Sequence, residues 1–157
     1  MRESSKSLES EISEQELNCL LRFVRTKKFN GVHLEIGTAA GGTLKEMIKS
    51  RVELGSNPEF VVIDSFSYFP NQFEKVLQNL KNERIDHNLI KFFKMTSNKA
   101  YETNYNEVVG GGIDLLLIDG NHKMKYVMQD LRWCRGVNVG GLVCLHDYSK
   151  DFPGVEN

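Results

Sequence analysis

The sequence predicts an α/β fold built on a parallel β-sheet, and three observations lead to this prediction. Short apolar runs typical of buried strands alternate with segments whose apolar residues recur at helical spacing. A glycine-rich stretch closes the first run, and polar or acidic residues follow all five runs. Because strands that alternate with helices form parallel sheets, we expect an open, doubly wound sheet. Ligands of such folds bind beyond the carboxyl ends of the strands.

The composition is that of one globular domain. The chain has 157 residues, 40% of them hydrophobic and 26% charged, which excludes disordered, collagenous and disulfide-framed classes. The net charge of −1 gives no electrostatic reason to expect a nucleic acid or a membrane as partner. The polar start lacks the apolar stretch of a signal peptide, and no run reaches the roughly 20 apolar residues of a membrane span. We therefore expect a cytoplasmic protein with a small-molecule ligand.

Helix-capping residues and the spacing of hydrophobic residues predict where the helices and strands lie. Residues 1–12 are predicted to be a flexible polar tail and residues 13–157 a single domain. Ser13 and Glu16 form a capping box that starts a helix ending near Lys28. The predicted strands are residues 32–36, 60–63, 89–93, 113–118 and 142–145. Helices are predicted at about 43–51, around a face of Phe73, Val76, Leu77 and Leu80, at about 98–108, and along a stripe of Met124, Val127, Met128 and Leu131.

The turn after the first strand carries the most specific motif. Glu35 is followed by Gly37, and Gly41 comes four residues later. This spacing differs from the G-x-G-x-x-G fingerprint of dinucleotide sites, so a pyrophosphate is not favoured. Glycines still let the backbone approach a ligand closely, and a carboxylate suits a cationic amino group or hydroxyls. The alternative is a plain glycine-rich turn with Glu35 on the surface.

Asp64 ends the second predicted strand. In nucleotide-binding α/β folds, an acid at this place hydrogen-bonds a ribose. An aspartate here can also simply cap the following helix. Together with the first turn, Asp64 favours ribose binding.

These residues resemble the class I S-adenosylmethionine-dependent methyltransferases, whose first motif is E/D-x-G-x-x-x-G and whose second strand ends in an acid. The resemblance runs from Val32 to about Gly154. Residues 113–122 and 140–148 are similar to the macrolide-sugar O-methyltransferases, which carry D-G-x-H after strand four and an acidic pair or H-D after strand five. The resemblance implies a Rossmann-like sheet of order 3-2-1-4-5, methyl transfer from S-adenosylmethionine, and a small hydroxylated acceptor such as a sugar.

The resemblance also implies which residues contact the cofactor. Ser97 lies where these enzymes usually contact the adenine. The full predicted set is Glu35, Gly37, Thr38, Ala39, Gly41, Gly42, Thr43, Asp64, Ser65, Ser97 and Asp119.

The turns after strands four and five carry the predicted chemistry. A hydroxyl needs activation before it attacks a sulfonium, either by a general base or by a divalent ion. We assign the base role to His122, as the resemblance also suggests, against the alternative that it is a solvated residue at a helix start. Asp119, His146 and Asp147 are predicted to hold a metal, with Mg²⁺ favoured by the carboxylate oxygens. His146 departs from the acidic pair of the sugar enzymes, and alternatively it only hydrogen-bonds Asp119.

Two other functions and one structural question stay open at this point. The chain could be a catalytically incomplete cofactor-binding module that needs a partner, or a nucleotide-dependent oxidoreductase. The resemblance implies seven strands, whereas the sequence predicts five, so the C-terminal antiparallel hairpin is missing from the prediction. An uncovered fifth strand is a liability that proteins usually pair or cover. We therefore expect either a truncated chain or a partner, such as a second copy, at this edge.

Overall fold

A computed structural model describes residues 12–26 and 28–147 and has a parallel five-stranded sheet at its centre. The strands are β1 (Val32–Ile36), β2 (Phe60–Asp64), β3 (Ile90–Lys94), β4 (Ile113–Ile118) and β5 (Val137–Leu145). Their order is β3-β2-β1-β4-β5, and every pair is parallel. The predicted fold class and strand order are confirmed. The order reverses beside β1, and this places the ligand-binding edge at the turns after β1, β2 and β4.

Helices cover both faces of the sheet. They are α1 (Glu14–Thr26), α2 (Gly42–Glu53), α3 (Gln72–Asn82), α4 (Ser97–Val109) and α5 (Met124–Asp130), with 3₁₀ turns at His87–Leu89 and Leu131–Gly136. One hydrophobic core joins α1, α2 and α3 to the sheet, and the other joins α4 and the second 3₁₀ turn to the opposite face. From Leu115 to Ile118, successive residues of β4 alternate between these cores, which explains this unbroken apolar run.

Two local interactions fix α1 against the core. The predicted capping box is confirmed, because the backbone N–H of Ser13 donates to Glu16 at 2.9 Å and the N–H of Glu16 donates to the Ser13 hydroxyl at 3.2 Å. At the other end, the buried Arg51 guanidinium donates to the carbonyls of Val24 and Phe29 at 3.1 and 2.7 Å. The bond to Val24 satisfies a carbonyl in the last turn of α1, which has no helical partner, and the bond to Phe29 fixes the chain that follows the helix. They hold the C-terminal end of α1 against α2.

The structure corrects two predicted elements. β5 begins at Val137 instead of residue 142, because a register shift against β4 lets the strand continue through Gly140 and Gly141. The predicted apolar stripe of α5 is wrong in part: Val127 is buried, but Met124 and Met128 are more than half exposed. The predicted tail, apart from Ile12, lies outside the described residues, as does the chain after Asp147. None of the described helices has the length and apolar character that crossing a bilayer requires.

His33 makes folding sensitive to acid. Its imidazole is buried in β1 between the rings of Phe29 and Phe60, and its Nε2 atom has no hydrogen-bond partner among the described residues. Burial lowers the pKa of His33 from 6.5 to about 4. The unfolded chain therefore takes up a proton near pH 6.5 that the folded protein binds only near pH 4. Acid favours unfolding throughout this interval.

We predict that His33→Phe removes part of this acid sensitivity. Urea unfolding at neutral pH and near pH 4.5 should show that the variant loses about 2 kcal/mol less stability than the wild type. His87→Gln is the matched control, because His87 is exposed in the first 3₁₀ turn. It should leave the acid-dependent loss unchanged. Equal losses in wild type and His33→Phe would contradict the assignment.

Candidate active site

A cavity of about 1120 Å³ lies at the carboxyl ends of the strands. The turns after β1, β2, β3 and β4 and the residue at the end of β5 form its wall. Eight residues that we predicted for the site line it: Gly37, Ala39, Asp64, Ser65, Ser97, Asp119, His122 and Asp147. The structure thus brings together residues from all five turns, as the fold rule requires.

The turn after β1 is packed directly against the turn after β4. Gly37 has a φ of +79°, and a Cβ there would collide with the carbonyl of Asp119. The Gly37 N–H donates to the Ile63 carbonyl at 3.0 Å, and the Asp119 N–H donates to the Ile36 carbonyl at 2.8 Å. Both the conformation and the close approach require glycine at this position.

Asp64 ties the glycine turn to the turn after β2. Its carboxylate accepts hydrogen bonds from the N–H groups of Thr38 and Phe66 at 2.9 and 2.7 Å, and from the Gln72 amide at 3.2 Å. Asp64 therefore organises the backbone that a ligand would meet, and it also faces the cavity. Its predicted bond to a ribose stays a prediction.

Gln72 is a site residue that the sequence patterns did not predict. It is buried at the start of α3, where its amide nitrogen donates to the Ala39 carbonyl at 2.9 Å and its oxygen accepts from the Tyr68 N–H at 3.0 Å. One side chain thereby fixes the turns after β1 and β2 relative to each other. These contacts join residues that are distant in sequence, and no local pattern indicates them.

Glu35 lies beneath the cavity and not on its surface. Its side chain is 2% exposed, and the Thr38 hydroxyl donates to it at 3.1 Å. Burial, reinforced by the nearby charge of Asp119, raises the pKa of Glu35 well above its ordinary value. Burial therefore favours the neutral form of this group, which supports the turn through its bond to Thr38. The alternative that placed Glu35 on the surface is wrong.

Five more predicted residues lie behind the wall of the cavity. Gly41 is the N-cap of α2 in left-handed conformation. Thr38, Gly42 and Thr43 are buried near it in the chain, and His146 is buried directly after β5. Their predicted contacts with the cofactor or a metal stay predictions. They are Thr38, Gly41, Gly42, Thr43 and His146.

Two histidines and two aspartates meet at the ends of β4 and β5. The His146 Nδ1 donates to Asp119 Oδ1 at 2.7 Å and lies 3.3 Å from Asp147 Oδ2. The His122 Nε2 lies 3.1 Å from the same Asp147 oxygen. Asp147 adopts a left-handed backbone conformation, with a φ of +57°, that places its carboxylate between the two imidazoles. The structure thus brings these four side chains together.

His146 is a buried cation in this cluster. The hydrogen bond to Asp119, together with the charges of Asp147 and Glu16, raises the pKa of His146 to about 9. Its Nε2 atom lies 3.7 Å from the Glu16 carboxylate on α1. At neutral pH the imidazolium therefore offsets the aspartates around it. This arrangement matches the alternative in which His146 hydrogen-bonds Asp119.

The cluster fits a divalent ion, on condition that His146 loses a proton before it acts as a ligand. Asp119, His146 and Asp147 each offer a ligand atom, and these atoms lie within 4.8 Å of one another. Two carboxylates suit Mg²⁺, whereas a set that includes an imidazole also suits Mn²⁺ and other transition metals. His146 can ligate only after it loses the proton that it shares with Asp119.

Asp130 is a second residue that the sequence patterns did not predict. It lines the cavity and is only 4% exposed. Its hydrogen-bond partner is Ser97, whose hydroxyl also accepts from the Trp133 Nε1 at 2.9 Å. Asp130 lies three residues after the buried Val127, so an acid at a core-facing helical position is the signal that was available.

Comparison with known proteins decides the family. Residues 34–148 match a family model described as a methyltransferase domain. The chain belongs to this methyltransferase family. No curated protein matches the sequence. The match spans the cavity and the cluster at the ends of β4 and β5, and it removes the basis for the oxidoreductase alternative.

Solved structures share the fold of this methyltransferase domain. The apo structure of CalS11, a TDP-rhamnose 3'-O-methyltransferase of calicheamicin biosynthesis, superposes with a TM-score of 0.69 at 18% identity. The superposition covers 90% of this chain and 66% of CalS11. A precorrin 8w decarboxylase from Methanobacterium thermoautotrophicum superposes with a TM-score of 0.63 at 18% identity. The superposition covers 87% of this chain and 64% of the decarboxylase.

A protein from Corynebacterium glutamicum gives a TM-score of 0.69 at 13% identity, over 94% of this chain and 69% of that one. The methyltransferase domain described here thus spans about two thirds of the length of these structures. At such identities the likeness establishes the fold.

We predict that Gly37→Ala destabilises the methyltransferase domain by at least about 3 kcal/mol, because left-handed strain and the collision with Asp119 add together. Gly55→Ala is the matched control, since Gly55 also has positive φ but nothing within 4 Å of the position that a Cβ would take. It should cost about 1 kcal/mol. Chemical denaturation measures both values. Similar losses for the two variants would show that the close approach to Asp119 does not matter.

Proposed function

We propose that this protein binds S-adenosylmethionine in the cavity and transfers its methyl group to a hydroxyl of a small acceptor. The observation that carries the proposal is the meeting of Asp119, His122 and Asp147 at the edge of a cavity large enough for a cofactor and an acceptor. Membership of the methyltransferase family supports the reaction class. CalS11, which shares the fold, acts on a sugar nucleotide, and this supports a sugar-like acceptor.

The charge of the cavity suits the cofactor. Its wall contains four aspartates and one lysine: Asp64, Asp119, Asp130, Asp147 and Lys123. Carboxylates in a partly dry cleft attract a ligand that carries a sulfonium and an ammonium group. Gly37, Ala39, Asp64, Ser65 and Ser97 would hold the cofactor. When bound, it supplies a methyl group activated by the positive sulfur.

His122 is the proposed general base. Its Nε2 lies 3.1 Å from the Asp147 carboxylate, and the imidazole would take the proton of the acceptor hydroxyl. The negative charge of Asp147 orients the ring and stabilises the imidazolium that forms, as a carboxylate does in catalytic triads. Alignment of the acceptor within the cavity supplies the remainder of the rate enhancement.

A divalent ion is proposed as a second aid. Asp119 and Asp147 would hold it through one oxygen each, with His146 as a third ligand when deprotonated. Such an ion lowers the pKa of a bound hydroxyl. Mg²⁺ is the ion that the carboxylates favour, and the imidazole would widen the choice to Mn²⁺.

We predict that His122→Gln lowers kcat by about 10²- to 10⁴-fold while the affinity for S-adenosylmethionine changes less than about twofold. Methyl release in a screen of sugars and catechols first identifies the acceptor. His87→Gln, on the far side of the fold, is the matched control and should keep full activity. A fully active His122→Gln enzyme would contradict the base assignment. Cofactor binding without methyl release from any acceptor would favour the catalytically incomplete module.

We predict that Mn²⁺ or Mg²⁺ binds and that its affinity rises between about pH 7 and 9, by up to tenfold per pH unit, if His146 is a ligand. Calorimetry at several pH values measures this slope. The pKa of about 9 for His146 sets the upper limit of the rise, since the ion competes with that proton.

Two variants separate the roles at the metal site. His146→Gln should flatten the pH dependence, and Asp147→Asn should abolish binding. The metal proposal fails if the wild type binds neither ion, or if chelator and Asp147→Asn both leave turnover unchanged. If His146→Gln does not alter the pH dependence of the metal affinity, His146 is not a ligand and only donates a hydrogen bond to Asp119.

A further inference from the structure

The side of α3 that faces the turn after β1 contains two buried amides. Gln72 and Asn79 are 1% and 3% exposed, and Val76 between them is fully buried. Positions 72, 76 and 79 follow the spacing i, i+4 and i+7, so the three side chains lie along one side of the helix. Such a stripe is usually apolar, because burying an amide costs free energy that an apolar side chain avoids. The two amides are therefore explained by what they bind.

Both amides donate to the backbone of the turn after β1, which comprises residues 37–41. The Gln72 amide donates to the Ala39 carbonyl at 2.9 Å, as described above, and the Asn79 amide donates to the Ala40 carbonyl at 2.8 Å. The two carbonyls are adjacent in the chain, and both are directed at α3. One helix therefore fixes the orientation of two successive peptide groups in the turn.

The turn requires this support because its backbone is strained at Ala39. The φ of Ala39 is +45°, in the left-handed region that costs free energy for a residue with a side chain. Strained conformations persist only where the surrounding contacts hold them. Val76 adds such a contact, since its Cγ1 atom is 3.2 Å from the position that a Cβ would take at Gly41. Ala39 lines the cavity, so its conformation shapes the surface that a ligand meets.

Asn79 acts on the turn from behind the cavity. Gln72 is part of the cavity wall, whereas the wall formed by the described residues does not include Asn79. Within the described residues, the Oδ1 atom of Asn79 is buried and has no hydrogen-bond partner. This orphaned oxygen carries a desolvation cost, so the side chain is explained by the bond that its nitrogen donates. Any effect of Asn79 on a ligand must pass through the turn.

We propose that Asn79 is a positioning residue, whose hydrogen bond to Ala40 holds the turn after β1 in the conformation that binds the cofactor. This proposal rests on the proposed function, because it takes S-adenosylmethionine as the ligand. When the bond is lost, the buried Ala40 carbonyl lacks this donor and the turn adopts other conformations more often. Only molecules with the ordered turn bind, so the apparent Kd rises in inverse proportion to their fraction.

The test measures cofactor binding by the folded protein. Isothermal titration gives the Kd of S-adenosylhomocysteine for the wild type and for Asn79→Leu, which is close in size but has no donor. We expect the Kd of the variant to be about three- to tenfold higher, the worth of one hydrogen bond. Gln78→Leu is the matched control, because Gln78 is exposed on the same helix and its amide donates to Asn82. Its Kd should stay within about twofold of the wild-type value.

A role in stability alone would not change this Kd, because each titration is made well below the unfolding temperature of the variant. Thermal unfolding measures that temperature. Hydrogen exchange of the free proteins gives a second readout at the N–H groups of Gly37, Thr38 and Gly41, which are bonded in or beside the turn. These groups should exchange at least about threefold faster in Asn79→Leu, while exchange in β4 is unchanged.

If Asn79→Leu does not fold, the wild type still decides. S-adenosylhomocysteine should slow hydrogen exchange both in the turn and at residues 76–82 of α3, because the ligand and the helix stabilise the same conformation of the turn. Protection of the turn without any protection of these α3 residues overturns the proposal.

The outcomes separate this proposal from the proposed function. A folded wild type that does not bind S-adenosylhomocysteine overturns both. A wild type that binds it, together with a folded Asn79→Leu variant of equal Kd, overturns only the role of Asn79. The same holds if Gln78→Leu raises the Kd as much as Asn79→Leu does, because the bond to Ala40 is then not the cause.

Discussion

The close approach between the turns after β1 and β4 is the constraint on which the site depends. Gly37 has no side chain, and this lets its backbone lie against the carbonyl of Asp119. The paired bonds from Gly37 to Ile63 and from Asp119 to Ile36 then hold three strand ends at one level. Without this contact, the groups that follow β1 and those that follow β4 would line separate surfaces and could not act on one ligand.

Titratable groups lie below the cavity and beside it, on both sides of this contact. Burial raises the pKa of Glu35 and favours its neutral form below the cavity, whereas His146 remains protonated beside Asp119 and Asp147. The shift of Glu35 toward its neutral form and the positive charge of His146 both limit the repulsion among carboxylates that a dry site would otherwise magnify. Glu16 extends this arrangement to α1, which Arg51 fixes to the core.

Much of the architecture could be predicted because it is encoded locally. Apolar period indicated the strand positions, and the rule that ligands bind at strand ends brought Asp64, Asp119 and Asp147 into one region. Interactions between distant residues could not be predicted, such as the bonds of Gln72 to the first turn and of Asp130 to Ser97. The register shift in β5 could not be predicted either, because pairing with β4 overrides the local preference of glycine for turns.

The proposed function requires first of all that the cavity binds S-adenosylmethionine, as expected for a member of the methyltransferase family. Isothermal titration of the folded protein with this cofactor, and with NAD as the comparison, tests this most directly. We expect saturable, one-to-one binding of S-adenosylmethionine and none of NAD. Binding of NAD, or the absence of any heat of binding with S-adenosylmethionine by a demonstrably folded protein, would contradict the proposed function.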